Sequence, residues 1–450
     1  MNDEPHSSTL PVPSDEPRAF TTVPPRGAHG KQHGPLRQRP RLALMLILIA
    51  AAMPIRFSDS FPLINSVSAL DVLLVAAGVT LFLDLAFRPL DVGYPKLFRI
   101  LCIPLALSFL SVVWSQDRSA SLRASLIYLE GVIAYLFVIR ELEGLPPERI
   151  AGYFKRYAYL VILPAVLLLL KVPGFEPAQP GLSHTSGAYI SYYTRLSHPI
   201  LGRSNNLATI LALLVPVLLY WGYSRHDRRI TRAGFVALLA IFLTLSRGTL
   251  LAFVIGGFLY APLAVSRSKL ERRKSKGRIA TTVAVGVILG VVAVGVLYEV
   301  NPSTHEFFSG RLSAANVSAR SEIISVSISK IAERPLLGFG AGVVPNRDPR
   351  LGGGAHNTYL QQLLYFGIVP GFIVCFALLG VASFFLARRP WSGLAGAIGY
   401  TLIVELVIFL FESSFEGTVL RVLFYLLVGL ATAMLRAVEA GSPQAAGAIS

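Results

Sequence analysis

Along most of this chain apolar residues come in runs long enough to cross about 30 Å of hydrocarbon, separated by shorter polar stretches. The runs lie near 41–57, 66–87, 97–114, 121–139, 153–170, 204–223, 232–246, 248–265, 279–299, 368–387, 392–411 and 419–436. They predict helices, because lipid offers no partner to a backbone N–H or C=O and a helix satisfies both within one segment. Two intervening segments, 171–203 and 300–367, are too long for simple turns and have room for chemistry. In the second, Ile324, Ile328 and Ile331 recur at helical spacing between Ser318 and Glu333, with Arg320, Lys330 and Glu333 elsewhere on the surface. This predicts an amphipathic helix lying at the outer membrane interface, ended by Pro335, since the residue before a proline disfavours the α region. The expected fold is all-α: a polytopic transmembrane helical bundle of about 12 spans with a partly helical outer loop.

Composition agrees. Of 450 residues, 53% are hydrophobic and 15% charged, and a mean hydropathy of +0.59 lies outside the range of soluble domains. The net charge of +16 does not point to nucleic acid, because the basic residues stand in short clusters between apolar runs and form no single stripe with interleaved aromatics. Residues 1–40 contain eight prolines and no apolar period, and are expected to form a disordered cytoplasmic tail ahead of a transmembrane domain at 41–440. A cleaved secretory signal would instead set a short basic region directly before its apolar stretch. Residues 441–450 form a second short tail.

Lys and Arg collect in cytoplasmic loops, and this fixes the expected orientation. With the N-terminus inside, the five inner loops hold twenty basic residues, including Arg140, Arg225, the seven from Arg267 to Arg278, and Arg388. The four short outer loops hold five: Arg56, Arg118, Arg123, Arg247 and Arg421. Both termini are therefore expected in the cytoplasm. The two long outer segments run against this trend with nine cations, among them Arg195, Arg203, Arg311, Arg320 and Arg334. Cations gathered on that face fit an anionic ligand; the plainer alternative is that they solubilise the loops or touch lipid head groups.

After the loop helix come Gly338, Gly340 and Gly342, then Gly352-Gly353-Gly354, which permit turns and close backbone approach. His356-Asn357-Thr358-Tyr359-Leu360 follows and opens an apolar helical stretch. Cys102 and Cys375 each fall inside an apolar run and read as small buried hydrophobes, so neither a disulfide nor a metal framework is expected. No His, Asp and Glu cluster has metal-ligand spacing, no cofactor is indicated, and no carboxylate pair of glycosidase type is visible in the outer loops.

Taken in order, these residues resemble the O-antigen ligase and Wzy-type polymerase superfamily of bacterial surface-polysaccharide membrane proteins. The resemblance rests on Gly202-Arg203-Ser204-Asn205-Asn206-Leu207-Ala208, on Ser246-Arg247-Gly248 at an outer hairpin, on Arg320 followed by Arg334-Pro335-Leu336-Leu337-Gly338-Phe339-Gly340, and on His356-Asn357 with Tyr359-Leu360. It spans roughly residues 200–370; Ile323 and Ile324 stand where the family often carries an aromatic residue after the loop arginine. It implies transfer of a glycan from an undecaprenyl-diphosphate-linked donor to an acceptor hydroxyl, on a glycan or a lipid A core, at the periplasmic face of the inner membrane. His356, Arg247 and Arg320 are then the catalytic candidates, and Arg203, Asn206, Arg334 and Asn357 the substrate-binding ones. Guanidinium groups suit the growing charge of a diphosphate leaving group, and an imidazole suits the acceptor proton. The plainer readings are a snorkelling Arg247, and a packed His356 beside Asn357 or Thr358 capping the helix.

The competing class is a multi-span transporter or flippase of lipid-linked sugars, supported by Asp71, Asp84, Glu130 and Glu405 within spans. Against it, the long outer loops follow the fifth and ninth spans, which are not equivalent places in two repeated halves.

Overall fold

Helix dominates the computed structural model, which describes residues 40–52, 68–170, 172–173, 204–244, 246–268, 314–343, 351, 355, 357–388, 394–411 and 418–440. In chain order the helices are α1 (Pro40–Ala52), α2 (Ala69–Leu85), α3 (Pro95–Ser111), α4 (Arg118–Leu142), α5 (Pro147–Leu169), α6 (Ser204–Ser224) and α7 (Arg228–Thr244). There follow α8 (Arg247–Ser268), α9 (Ala314–Glu333), α10 (Thr358–Phe366), α11 (Ile368–Ala387), α12 (Leu394–Phe411) and α13 (Thr418–Ala440). No strand forms among the described residues. Among the described residues five helices, α4, α5, most of α6, α11 and most of α13, are long and apolar enough to cross a membrane, and shorter apolar helices lie in α1, α8 and α12. The apolar run predicted at 279–299 lies outside the described residues.

Local chemistry explains the helix starts. Ser68 and Asp71 form a reciprocal capping box at α2, and Asp117 accepts from the Ala120 amide at α4. Each satisfies N–H groups that a helix start leaves open, worth about 1 kcal/mol per cap. Proline opens α3 and α5, where its missing N–H costs nothing. Pro104, Pro164 and Pro216 lie inside helices, as membrane helices tolerate when neighbours re-satisfy the freed carbonyls.

The core runs the length of the bundle, and α4 and α13 pack closely together within it. Their approach depends on Gly131, where a Cβ would stand 2.5 Å from the Tyr425 ring. In α6 and α7 the antiparallel pairing places Gly222 against Thr231 and Gly234 against Leu219.

One end of the bundle is closed by paired charges. Arg140 on α4 holds Asp84 of α2 at 2.9 Å and Glu143 at 3.3 Å, and Arg436 of α13 holds Asp91 at 2.5 Å. Arg388, just past α11, pairs with Glu439 at 2.8 Å while lying 3.5 Å over the Tyr94 ring and 4.5 Å over Phe384. Tyr94 donates its hydroxyl to the same Glu439 at 2.5 Å. These contacts bring together the ends of α2, α4, α11 and α13 and the start of α3. The helices reverse direction from there, so the end of α3 and the starts of α4, α11 and α13 meet at the opposite end.

Four of the cations counted with the outer loops lie within helices: Arg118 and Arg123 in α4, Arg247 at the start of α8, and Arg421 in α13. Arg421, assigned to an outer loop by its sequence position, lies inside α13 and is 2% exposed. Its apolar flanks, Thr418-Val419-Leu420 and Val422-Leu423-Phe424, extend the helix past it on both sides.

Candidate functional site

The end opposite the charge pairs is built around a glycine-bearing segment that follows α9. Helix α9 stops at Glu333, and Arg334 to Val343 then run as turns between the α3–α4 connection and α10. Two main-chain bonds fix the segment to α10: the Phe339 amide donates to the Leu364 carbonyl at 2.9 Å, and the Gly340 amide to Tyr365 at 2.8 Å. Those carbonyls are available because the helix breaks at Gly367, φ +82°, before α11 begins. On the other flank, the Gln116 amide donates to Phe339 O at 3.1 Å, the Trp114 indole to Leu337 O at 2.5 Å, and the Ala341 amide to Ser111 Oγ at 3.0 Å. Gly340 takes φ +103°, and a Cβ there would meet Ser115 Oγ at 2.2 Å. The position is closed to any side chain.

Packing completes the attachment. Ile331 of α9 is buried with Phe339, Val343, Ala355 and Leu364. The expected apolar stripe of α9 therefore divides: Ile331 faces the protein, whereas Ile324 and Ile328 remain exposed. Ser327, buried, returns its hydroxyl to Ile323 O at 2.7 Å.

Helix α10 is short and carries an unusually polar buried face of Thr358, Gln361 and Gln362. Asn357 caps it, accepting from the Leu360 amide at 3.0 Å, and donates its own amide to the Leu410 carbonyl at the end of α12, also at 3.0 Å. Tyr359 donates to Leu406 O at 2.9 Å, and Gln361 Oε1 accepts from the Ala355 amide at 2.6 Å. The start of α10 is thus tied to α12 and its end to the glycine segment.

The residues singled out in the sequence distribute as follows. Arg334 is exposed, its guanidinium 5.4 Å from the Phe339 ring centroid, and through Phe339 it is linked to the same α10 that Asn357 caps. Arg247 is the first residue of α8 and half-buried, directly after Ser246, whose hydroxyl lies 3.0 Å from that of Thr249. Helix α8 packs on α12, the helix whose carbonyls receive Asn357 and Tyr359. Asn206 is half-buried in the first turn of α6. Arg320 belongs to α9. Arg203 and His356 lie outside the described residues.

Of the acidic residues expected within spans, Asp71 is used in the α2 cap and Asp84 in the Arg140 pair. Glu130 and Glu405 each keep a buried carboxylate oxygen with no hydrogen-bond partner among the described residues. Cys102 and Cys375 are free thiols, half-buried and buried.

Sequence reading missed a buried polar line beneath α10. Arg421 donates to the Ala124 carbonyl at 3.3 Å and lies 3.9 Å over the Tyr128 ring; Tyr128 in turn points its hydroxyl at Gln362 Oε1, 3.4 Å away. An arginine within an apolar run was the signal available for it, since such a charge is expensive in a membrane and is kept where it has a task.

No curated protein matches the chain. Residues 232–376 match the family model described as Wzy_C, O-Antigen ligase. That stretch takes in most of α7, all of α8, the loop helix α9, the glycine segment, α10 and the first part of α11. The chain is therefore similar, through this domain, to the O-antigen ligase and Wzy superfamily, and its apolar helices fit a multi-pass membrane protein.

Proposed function

We propose that this protein transfers a glycan from an undecaprenyl-diphosphate-linked donor to an acceptor hydroxyl at the periplasmic face of the inner membrane, as an O-antigen ligase or a surface-polysaccharide polymerase. The observation that carries the reading is the family match over residues 232–376, which contains Arg247, Arg320, Arg334, His356 and Asn357. In this reading about twelve spans carry both termini in the cytoplasm, and the end built from α9, α10 and the glycine segment faces the periplasm.

The chemistry follows from charge. As the acceptor oxygen bonds to the anomeric carbon, the bond from that carbon to the diphosphate oxygen breaks and its electron pair leaves with the lipid diphosphate. Guanidinium groups of Arg247 and Arg320, with Arg334 and Arg203 in support, stabilise that developing charge far better in a water-poor site than they would in bulk solvent. Their planar forks can bind two phosphate oxygens at once. The acceptor hydroxyl loses its proton to His356, and Asn206 and Asn357 orient sugar hydroxyls. Asn357 already uses both ends of its amide within the protein, so its contribution to substrate passes chiefly through holding the start of α10 in place.

A cell-free assay with purified protein, lipid-linked glycan and acceptor tests the proposal. Glycosylated acceptor should form without any nucleotide sugar. Movement of intact lipid-linked glycan across the bilayer, with no bond cleaved, would overturn the proposal in favour of a flippase. A deletion strain distinguishes the two transferases: lipid-linked polymer persisting while lipid A lacks it marks a ligase, and single repeat units in place of polymer mark a polymerase.

A further inference from the structure

The proposed chemistry uses cations of the outer face and leaves a cation of the interior without a task. Arg421 is 2% exposed, in the contact between α4 and α13 where an apolar side chain would fill the space without the cost of desolvating a charge. Its guanidinium sits on the face of the Tyr128 ring, 3.9 Å from the centroid, and donates to Ala124 O at 3.3 Å. Tyr128 is itself wholly buried, with its hydroxyl toward Gln362 Oε1 at 3.4 Å. Gln362 is wholly buried as well, and its amide nitrogen has no hydrogen-bond partner among the described residues. An amide so placed is costly unless some other gain fixes it there.

We propose that Arg421 is a positioning residue for transfer, acting through Tyr128 and Gln362 on α10 and on the loop segment bonded to it. The proposal rests on the reading of that face as a glycan-transfer site. A cation over the ring draws density from the phenol and makes its O–H a stronger donor, which strengthens a hydrogen bond that at 3.4 Å is otherwise weak. Gln362 belongs to the nine-residue helix whose Leu364 and Tyr365 carbonyls hold Phe339 and Gly340. Arg334 rests on Phe339. The buried charge is thereby joined, ring to amide to helix to loop, to an exposed guanidinium meant for the donor. Arg421 itself, being buried, touches no substrate.

The test compares full-length wild type with Tyr128→Phe and Arg421→Lys, measuring kcat, donor KM, the thermal unfolding midpoint, and hydrogen exchange in peptides covering 334–343 and 357–366. Tyr128→Phe deletes one hydroxyl; Arg421→Lys keeps the charge but loses the flat stacking surface. Both should lower kcat by roughly 10-fold to 10²-fold, as misplacement by about 1 Å does. Donor KM and the unfolding midpoint should stay near wild type, and exchange in both peptides should quicken. Unchanged kcat and exchange in Tyr128→Phe overturns the proposal, as does a loss of activity explained entirely by loss of folded protein. Should Arg421→Lys fail to accumulate, Tyr128→Phe alone decides. If wild type transfers no glycan, the proposed function fails, and the exchange measurements still judge whether Tyr128 and Arg421 hold the loop.

Discussion

The two ends of the bundle handle cations in opposite ways. Where α2, α4, α11 and α13 end, Arg140, Arg388 and Arg436 each face a carboxylate at 2.5–2.9 Å. At the other end Arg334 faces the Phe339 ring, and Arg421 a carbonyl and the Tyr128 ring. A carboxylate partner cancels most of a guanidinium's field, whereas a ring face neutralises far less of it. The first end closes the bundle through these pairs; at the second, under the proposed function, the exposed Arg334 is free to meet an anionic donor.

The largest effects should come from removing cations at the second end. Arg247→Ala and Arg320→Ala are expected to abolish transfer with membrane abundance near normal, and Arg247→Lys to restore only part of it, because lysine lacks the bidentate fork. Glycan profiling and immunoblotting of the same cells check both halves; full activity in both alanine variants would mean these cations are incidental. Next, His356→Ala should lower turnover by roughly 10²–10⁴-fold while a fluorescent lipid diphosphate still binds. Wild-type activity should fall as pH drops through the ordinary histidine range near 6.5, where the base becomes protonated.

Gly340→Ala should reduce activity strongly, because the added methyl meets Ser115 Oγ at 2.2 Å in a backbone conformation of φ +103°. The loop would leave its place while the helices stay packed, so circular dichroism should be unchanged and exchange at 334–343 should quicken. At the charge-paired end the signs reverse: Arg388→Ala should cost about 1–2 kcal/mol of stability through its ion pair and ring contacts, with kcat per folded molecule intact.

The smallest effect belongs to Tyr94. Burial first, and then its hydrogen bond to the Glu439 carboxylate, hold its hydroxyl above the ordinary value of 10.0. A raised value in the folded state gives stability that is present below pH 10 and lost as pH rises beyond it, since only the unfolded tyrosine then ionises. The thermal midpoint should decline above about pH 10, and less steeply in Tyr94→Phe.

Hydropathy made α11 legible to the residue: an apolar run between Gly367 and Arg388-Arg389 has charges or a helix breaker at each border. It shortened α4, which continues through Arg118 at one end and Arg140 to Leu142 at the other, because a charge inside a helix reads as a loop until its partner, here Asp84, is known. Arg421, by contrast, was counted with an outer loop although it falls inside the apolar run 419–436. The loop helix and its stop at Pro335 followed from periodicity and proline chemistry, and the helical start after His356 from the polar residues there. The main-chain bonds from Phe339 and Gly340 to α10 were invisible, because hydrogen bonds between backbones leave no mark on side-chain identity.

Those main-chain bonds set an order of assembly. Residues 334–343 are gripped on one flank by Ser111, Trp114 and Gln116, made early in synthesis, and on the other by Leu364 and Tyr365, made late. A nascent chain that has emerged only as far as the glycine segment has one flank and no other. The carbonyls of α10 become acceptors for the loop only when the chain has passed Gly367 and the helix has turned away. This face is therefore completed in the last third of translation, and the half-made protein cannot present it as a finished surface.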